Sequence, residues 1–225
     1  MDFDLLPVVI SRSPMTRIEV ISFDAEGTLV TPEFSEALWR EAIPALYART
    51  NALDLASAKR RVYEEYDAVG NQRLEWYDIE YWFDYLKLGS SQPVIHSCLH
   101  KVARYPEVDD VLSSLADHYR LVVASGTPLE FLGFLLADVK SRFTRVFSSV
   151  SHFRQLKTPE FYLKLCAELG VSPDQVLHVG DSRQFDWFNA RESGLHACYL
   201  DRSRRDHEES LGDLTELEHV LSHLA

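Results

Sequence analysis

Short apolar runs that each stop at a small or polar residue, with helical patterns between them, constrain this chain more than any other feature. Ile18-Glu19-Val20-Ile21-Ser22-Phe23 runs into Asp24-Ala25-Glu26-Gly27-Thr28, and Leu121-Val122-Val123-Ala124 stops at Ser125-Gly126-Thr127-Pro128. Val176-Leu177-His178-Val179 ends at Gly180-Asp181-Ser182, and Ala197-Cys198-Tyr199-Leu200 at Asp201. Arg145-Val146-Phe147 is a weaker strand of the same kind. Helical periodicity fills 108–119, 129–139, 159–169 and 185–193, with Pro159 at a first helical position and Gly170 and Gly194 as stops. Strands alternating with helices of this length predict an α/β fold, a Rossmann-like parallel sheet covered by helices on both faces. In such sheets the ligand crevice lies at the carboxyl ends of the strands. Asp24, Ser125 and Asp181 all fall there.

The segment 31–104 has another texture. It reads as helices over 34–50, disturbed at Pro44, then 55–69, 74–88 and 94–104, with no sheet strand. The expectation is an all-helical insert at 31–104, with 1–30 and 105–225 forming the α/β core. A length of 225 residues suits one full domain plus such an insert.

A formal net charge of −12 argues against a nucleic-acid partner and against an anionic membrane surface. Cys98, Cys166 and Cys198 form no Cys-x-x-Cys pair and read as free thiols. Asp2 and Asp4 stand where a signal peptide needs base, and the apolar run 5–10 is too short to span a bilayer. These features predict a cytoplasmic protein, monomer or homodimer, with a short N-terminal extension.

Converging strand ends would place Asp24, Glu26, Asp181 and Asp186 in one crevice. Carboxylates that close cannot all stay ionised without a cation, and oxygen-only donors select a hard one such as Mg²⁺. The Ser125 hydroxyl, the amides of Gly126 and Thr127, and Lys157 suit the anchoring of a phosphate. A carboxylate on a tight turn beside a second acid suits nucleophilic catalysis with acid–base help. The chemistry points to metal-assisted phosphoryl transfer on a small phosphorylated metabolite.

Four ordered motifs carry a family resemblance. Phe23-Asp24-Ala25-Glu26-Gly27-Thr28-Leu29, Val122-Val123-Ala124-Ser125, Lys157-Thr158-Pro159-Glu160-Phe161 and Gly180-Asp181-Ser182-Arg183-Gln184-Phe185-Asp186 resemble those of the haloacid dehalogenase-like hydrolases. Tyr105-Pro106-Glu107-Val108 is similar to that family's return from cap to core. The resemblance implies Asp24 as a nucleophile forming an aspartyl-phosphate. It implies Mg²⁺ held by Asp24, the Glu26 backbone carbonyl and Asp181, with Asp186 orienting a water or the lysine. Ser125 and Gly126 would bind the phosphoryl group, and Lys157 would neutralise it and Asp24.

Phosphatases of the family resemble one another in an Asp where this chain has Glu26, and the dehalogenase branch usually has Tyr. Glu26 keeps a carboxyl for acid–base work, one methylene longer, about 1.5 Å of bond. The Gly-Asp-Ser motif favours phosphatase over dehalogenase chemistry. The alternatives are metal-free C–halogen hydrolysis through Asp24, and a catalytically weak protein that binds a phosphorylated ligand or partner.

In the insert, Trp76, Tyr77, Tyr81, Trp82, Phe83 and Tyr85 read chiefly as packing, with a substrate roof as the sharper alternative. Arg73 is a candidate specificity group for an anionic substrate. His96 and His100 have the spacing of a metal pair but no third ligand nearby, so they read as surface residues. His178, inside an apolar strand, reads as a satisfied core histidine.

Overall fold

A computed structural model of the chain describes residues 17–203 and 210–224. The run 5–10 lies outside them. Six strands, β1 (Val20–Phe23), β2 (Arg120–Ser125), β3 (Arg145–Ser148), β4 (Val176–Gly180), β5 (His196–Leu200) and β6 (Ser210–Leu211), form one parallel sheet ordered β3-β2-β1-β4-β5-β6. The first five match the apolar runs. The last is two residues long, too short to leave a periodicity.

Around the sheet lie α1 (Glu33–Ser35), α2 (Ile43–Asn51), α3 (Leu55–Val69), α4 (Ile79–Tyr85), α5 (Gln92–Cys98), α6 (Val108–Ala116), α7 (Leu129–Leu135), α8 (Ser149–Phe153), α9 (Pro159–Leu169), α10 (Asn189–Glu192) and α11 (Leu217–Leu224). The two-residue period of the strands sends alternate side chains to opposite faces. Ile21, Phe23, Leu121, Val123, Leu177 and Val179 pack with α6, α7 and α11. Val20, Val122, Ala124 and Val176 pack instead with Phe161, Leu165 and Leu169 of α9. Burying each such large apolar side chain contributes about 1.5–3 kcal/mol. The strand order reverses at β1, with β2 and β3 on one side and β4 to β6 on the other. That reversal opens a crevice at the carboxyl ends of β1, β2 and β4.

Between β1 and α6 the described chain is helical apart from its connections. Residues 33–51 run as one continuous helical stretch whose middle, Glu36–Ala42, is a π-helix. The distortion lies just before Pro44, where the missing N–H breaks the backbone ladder. Two side chains of α3 supply replacement donors: the Tyr63 hydroxyl bonds the Arg40 carbonyl at 2.7 Å, and the Tyr66 hydroxyl bonds that of Trp39 at 3.4 Å. The expected helix over 74–88 is split at Asp78, whose extended backbone and side chain cap α4 by accepting from the Tyr81 N–H at 3.1 Å. The expected helix over 94–104 begins at Gln92 and gives way to a 3₁₀ turn, Leu99–Lys101. Arg104 then pairs with Val30 in an isolated antiparallel bridge, so the helical segment leaves and returns at neighbouring points of the chain. No helix among the described residues is long and apolar enough to cross a membrane.

Candidate active site

β1 delivers Asp24. Its N–H bonds the Val179 carbonyl at 2.8 Å, extending the β1–β4 ladder by one residue and fixing the carboxylate at the crevice floor. The chain then turns through Gly27 at φ +77°, a conformation that costs other residues about 1–2 kcal/mol. A Cβ on Gly27 would also lie 2.5 Å from the Asp181 Cγ, so glycine is what lets the loops after β1 and β4 close on each other. Gly180 plays the same part for Asp186, since a Cβ there would stand 2.7 Å from the Asp186 Cβ and nearer still to its carboxyl.

Lys157 enters from the connection before α9, its carbonyl held by the Asn189 side-chain amide at 2.7 Å. The Lys157 ammonium, almost fully buried, donates to Asp24 Oδ1 at 2.7 Å and to Asp186 Oδ1. The other Asp186 oxygen accepts from the Ser182 N–H at 2.8 Å. His178 Nε2 lies 3.1 Å from Asp186 Oδ1, and its Nδ1 lies 2.9 Å from the Ser22 hydroxyl. His178 is thus a satisfied core residue, as the sequence suggests, and it also braces Asp186.

Burial by itself would lower the Lys157 pKa, but Asp186 and Asp24 overcome it and hold the ammonium well above its ordinary value. Burial would likewise raise Asp186, and the Lys157 charge with the His178 hydrogen bond reverses that, holding the carboxyl well below the usual range. Desolvation keeps His178 below its ordinary value despite Asp186. Asp24 is raised by burial, against the pull of Lys157. Asp181, exposed at the rim, has its carboxyl pushed up to about 7 by desolvation and by the charges of Asp24 and Asp186.

Carboxylate oxygens of Asp24, Asp181 and Asp186 lie within 4.8 Å of one another. Against them stands one ammonium, leaving about two net negative charges when all three acids are ionised. That imbalance, and the purely oxygen donor set, fit a divalent cation. The Glu26 carboxyl is not in this cluster. It accepts hydrogen bonds from the Ser35 hydroxyl and, at 3.2 Å, from the Thr127 hydroxyl. Burial raises its pKa, the two hydroxyls partly offsetting the rise.

Ser125 ends β2 buried, its hydroxyl accepting the Thr127 N–H at 3.1 Å. With Gly126, Lys157 and the Asp24–Asp181–Asp186 carboxylates it lines a crevice of about 140 Å³. Asp24, Ser125, Gly126, Lys157, Asp181 and Asp186 are therefore at one place, while Glu26, expected with them, lines the neighbouring cavity instead. Arg73 joins neither. Its guanidinium bonds Glu75 at 2.6 Å, more than half exposed, and it lines neither this crevice nor the larger cavity beside it. A partner two residues along the chain satisfies its charge locally. His96 and His100 each have Nδ1 at 2.8 Å from a carbonyl of their own helix or turn. Within the aromatic cluster Trp82 and Phe83 are buried packing, as expected, whereas Tyr77 reaches the crevice.

A family model for the haloacid dehalogenase-like hydrolases matches residues 18–186. The chain belongs to that family. Family members generally use a divalent metal, and the acidic cluster here provides for one. No curated relative matches the chain by sequence. Among solved structures it is similar to a HAD phosphatase from Thermococcus onnurineus, at 23% identity and a TM-score of 0.80, covering 91% of this chain and 98% of that one. It is similar to a 2-haloacid dehalogenase from Pseudomonas syringae pv. Tomato DC3000, at 20% identity and a TM-score of 0.65, covering 92% and 100%. It also resembles Bacillus subtilis YfnB, solved bound to magnesium, at 18% identity and a TM-score of 0.68, covering 92% and 99%. At these identities the likenesses establish the fold, a HAD-type α/β core.

Three contributors to the site had little or no sequence signal. The Thr127 hydroxyl holds Glu26, although only its amide was marked by the Ser-Gly-Thr turn. Ser35, the other partner of Glu26, sits in an ordinary polar helical stretch. Tyr77 was one aromatic among six, and the 3₁₀ turn that aims it follows from the break at Asp78.

Proposed function

We propose that this HAD-like hydrolase cleaves phosphate monoesters, with Asp24 as nucleophile and Glu26 as general acid and base. The observation that carries the reading is the Lys157 ammonium bonded at once to Asp24 and Asp186, in a crevice that Ser125, Gly126 and Asp181 also line. Asp24 attacks phosphorus and forms an acyl phosphate while the ester oxygen departs. Lys157 offsets the charge of Asp24 and of the incoming phosphoryl oxygens, and the Ser125 hydroxyl and Gly126 N–H orient them. Burial favours the protonated form of Glu26, the form that gives its proton to the leaving oxygen. Once ionised, it takes a proton from the water that opens the acyl phosphate, restoring Asp24.

Asp24 and Asp181, with Asp186 behind them, are the residues that would hold Mg²⁺, which would supply charge neutralisation for an anionic nucleophile meeting an anionic ester. The magnesium bound to YfnB supports that choice of metal. Halide displacement needs no proton donor for its leaving group, so the buried acid at Glu26 favours phosphatase over dehalogenase chemistry.

Hydrolysis of 4-nitrophenyl phosphate, with Mg²⁺, with EDTA and by Asp24→Asn, tests the reading. Turnover lost with EDTA and in the variant, with a hydroxylamine-sensitive phosphoenzyme in the wild type, is expected. Phosphate release that survives Asp24→Asn, or chloride release from 2-chloropropionate without phosphatase activity, would overturn it.

A further inference from the structure

Beside the crevice lies a second cavity of about 300 Å³ between the helical segment and α7. The two are continuous in their lining. Tyr77 and Thr127 face both, and the Glu26 that Thr127 holds lines the larger one. A phosphoryl group beside Asp24 would therefore have its ester oxygen near Glu26 and the remainder of the ester in this second cavity.

The walls are aromatic. Trp39, Tyr63, Tyr66, Trp76, Trp82 and Phe131 line the cavity. Tyr66 stands edge-on to its neighbours, with ring centroids 6.0 Å from Trp39, 6.2 Å from Trp76 and 4.6 Å from Trp82. The hydroxyls of Tyr63 and Tyr66 are already committed to the carbonyls freed ahead of Pro44. The Trp82 indole N–H is likewise committed to the Trp76 carbonyl at 3.4 Å. These aromatic walls offer ring surface with both tyrosine hydroxyls and the Trp82 N–H already committed, which suits a planar apolar body.

The charges at the cavity point the same way. Besides Glu26, which donates its proton, Glu36 and Asp67 line it against one cation, Arg40, whose guanidinium lies 5.6 Å from the Tyr63 ring centroid. Arg73, the cation that would have welcomed an anionic substrate, is turned to Glu75. A leaving group with its own carboxylate or phosphate would meet excess negative charge and ring faces.

Resting on the phosphatase reading above, we propose that the substrate class is the phosphate monoester of an aromatic alcohol carrying no further negative charge. The aryl body packs among Trp39, Tyr66 and Trp76, and its oxygen reaches Glu26 past Tyr77. A volume of about 300 Å³ accommodates a bicyclic ring system and is at the lower end of small-molecule sites.

The test compares esters of equal leaving-group basicity, so that intrinsic reactivity cancels. In Mg²⁺ buffer, kcat/KM is measured for 2-(1-naphthyl)ethyl phosphate, ethyl phosphate and phosphoglycolate, with acetyl phosphate as a substrate that does not use the cavity. Burying the naphthyl group should favour its ester over ethyl phosphate by on the order of 10²-fold. Phosphoglycolate should be the poorest of the three. Trp39→Ala and Trp76→Ala should each lower the naphthylethyl-to-ethyl ratio about tenfold. Acetyl phosphate turnover with a naphthylethyl-to-ethyl ratio below about 5, or with phosphoglycolate preferred, would overturn the assignment and leave the phosphatase reading standing.

If the wild type turns over none of the four, the phosphatase reading fails, and binding decides the cavity. Titration of wild-type tryptophan fluorescence with 2-(1-naphthyl)ethylphosphonate should then give a Kd at least tenfold below that of ethylphosphonate. Equal affinities would refute the aromatic-alcohol assignment. The same titration serves if either variant fails to fold.

Discussion

Lys157→Met tests the electrostatic centre of the site through stability alone. Methionine keeps the length of the side chain and removes the one ammonium between Asp24 and Asp186. Leaving a buried ion pair without one partner costs about 3–5 kcal/mol. That cost has a ceiling, because the buried carboxyl pair can escape by taking a proton. Starting from an ordinary Asp pKa of ~3.9 and ~1.36 kcal/mol per pH unit, protonation costs about 5.6 kcal/mol at pH 8.0 but only about 2.2 at pH 5.5. The loss should therefore be about 3–5 kcal/mol at pH 8.0 and no more than about 2 at pH 5.5.

The signs follow from the two states. In the wild type Asp186 is depressed, so its contribution is fully present above its unfolded value and does not change across this window. In the variant a carboxyl of the pair is raised by burial, so the penalty grows as pH rises. Asp181, pushed up to about 7 in the wild type, loses the lowering influence of Lys157 in the variant, so its further rise adds to the loss at the higher pH. Urea unfolding followed by far-ultraviolet circular dichroism at the two pH values, in EDTA, measures it. A loss under about 1 kcal/mol at pH 8.0, or an equal loss at both, would refute the account of Lys157 as the buried counter-charge.

Glu26→Gln should lower kcat/KM, which reports leaving-group expulsion, by about 10²–10⁴-fold on alkyl phosphates and far less on 4-nitrophenyl phosphate, whose leaving oxygen needs little protonation, as steady-state assays of the two would show. Because burial raises Glu26, kcat/KM should fall as pH climbs through that raised value, and the Gln variant should lose this basic limb in a pH profile. Gly27→Ala should cost about 1–2 kcal/mol from its φ of +77° and push Asp181 aside, weakening Mg²⁺ binding by calorimetry at least tenfold while aryl phosphonate binding persists. Mg²⁺ affinity in the wild type should rise with pH through about 7, the value to which Asp181 is pushed, with a proton released on binding that calorimetry in buffers of different ionisation enthalpy detects.

The sheet and the crevice were legible because one physical signal served both. A β-branched run that stops at Asp or Ser marks a strand and also the end of it that faces the ligand. Lys157 lies 133 positions from Asp24, and only the order of the motifs joined them. The helical segment was legible as helical but not in its breaks. Asp78 ends one turn and caps the next, a competition between side chain and backbone that apolar periodicity does not register. Pro44 did mark its disturbance, but that α3 tyrosines would repair the ladder depends on how the helices pack. The place of Arg73 away from the crevice follows from Glu75 two residues along, since a local partner is the simplest home for an exposed guanidinium. The role of Ser35 could not be read, because it exists only when α1 crosses the turn after β1.

The strand order also says something about how this chain is made. β1 sits at the middle of the sheet, pairing Val20 with Arg120 on one side and with Val176 on the other. A ribosome adding about 5–20 residues per second delivers the first partner roughly 5–20 s after β1 and the second roughly 8–30 s after it. Until the first partner emerges the strand that will carry the nucleophile is an apolar edge on both sides, and until the second it is still open on one. The same interleaving that sets Asp24 at the centre of the crevice leaves the nascent chain exposed to wrong pairing for longest at that strand. Synthesis under crowded or slowed translation is therefore the condition in which this protein should lose soluble yield first.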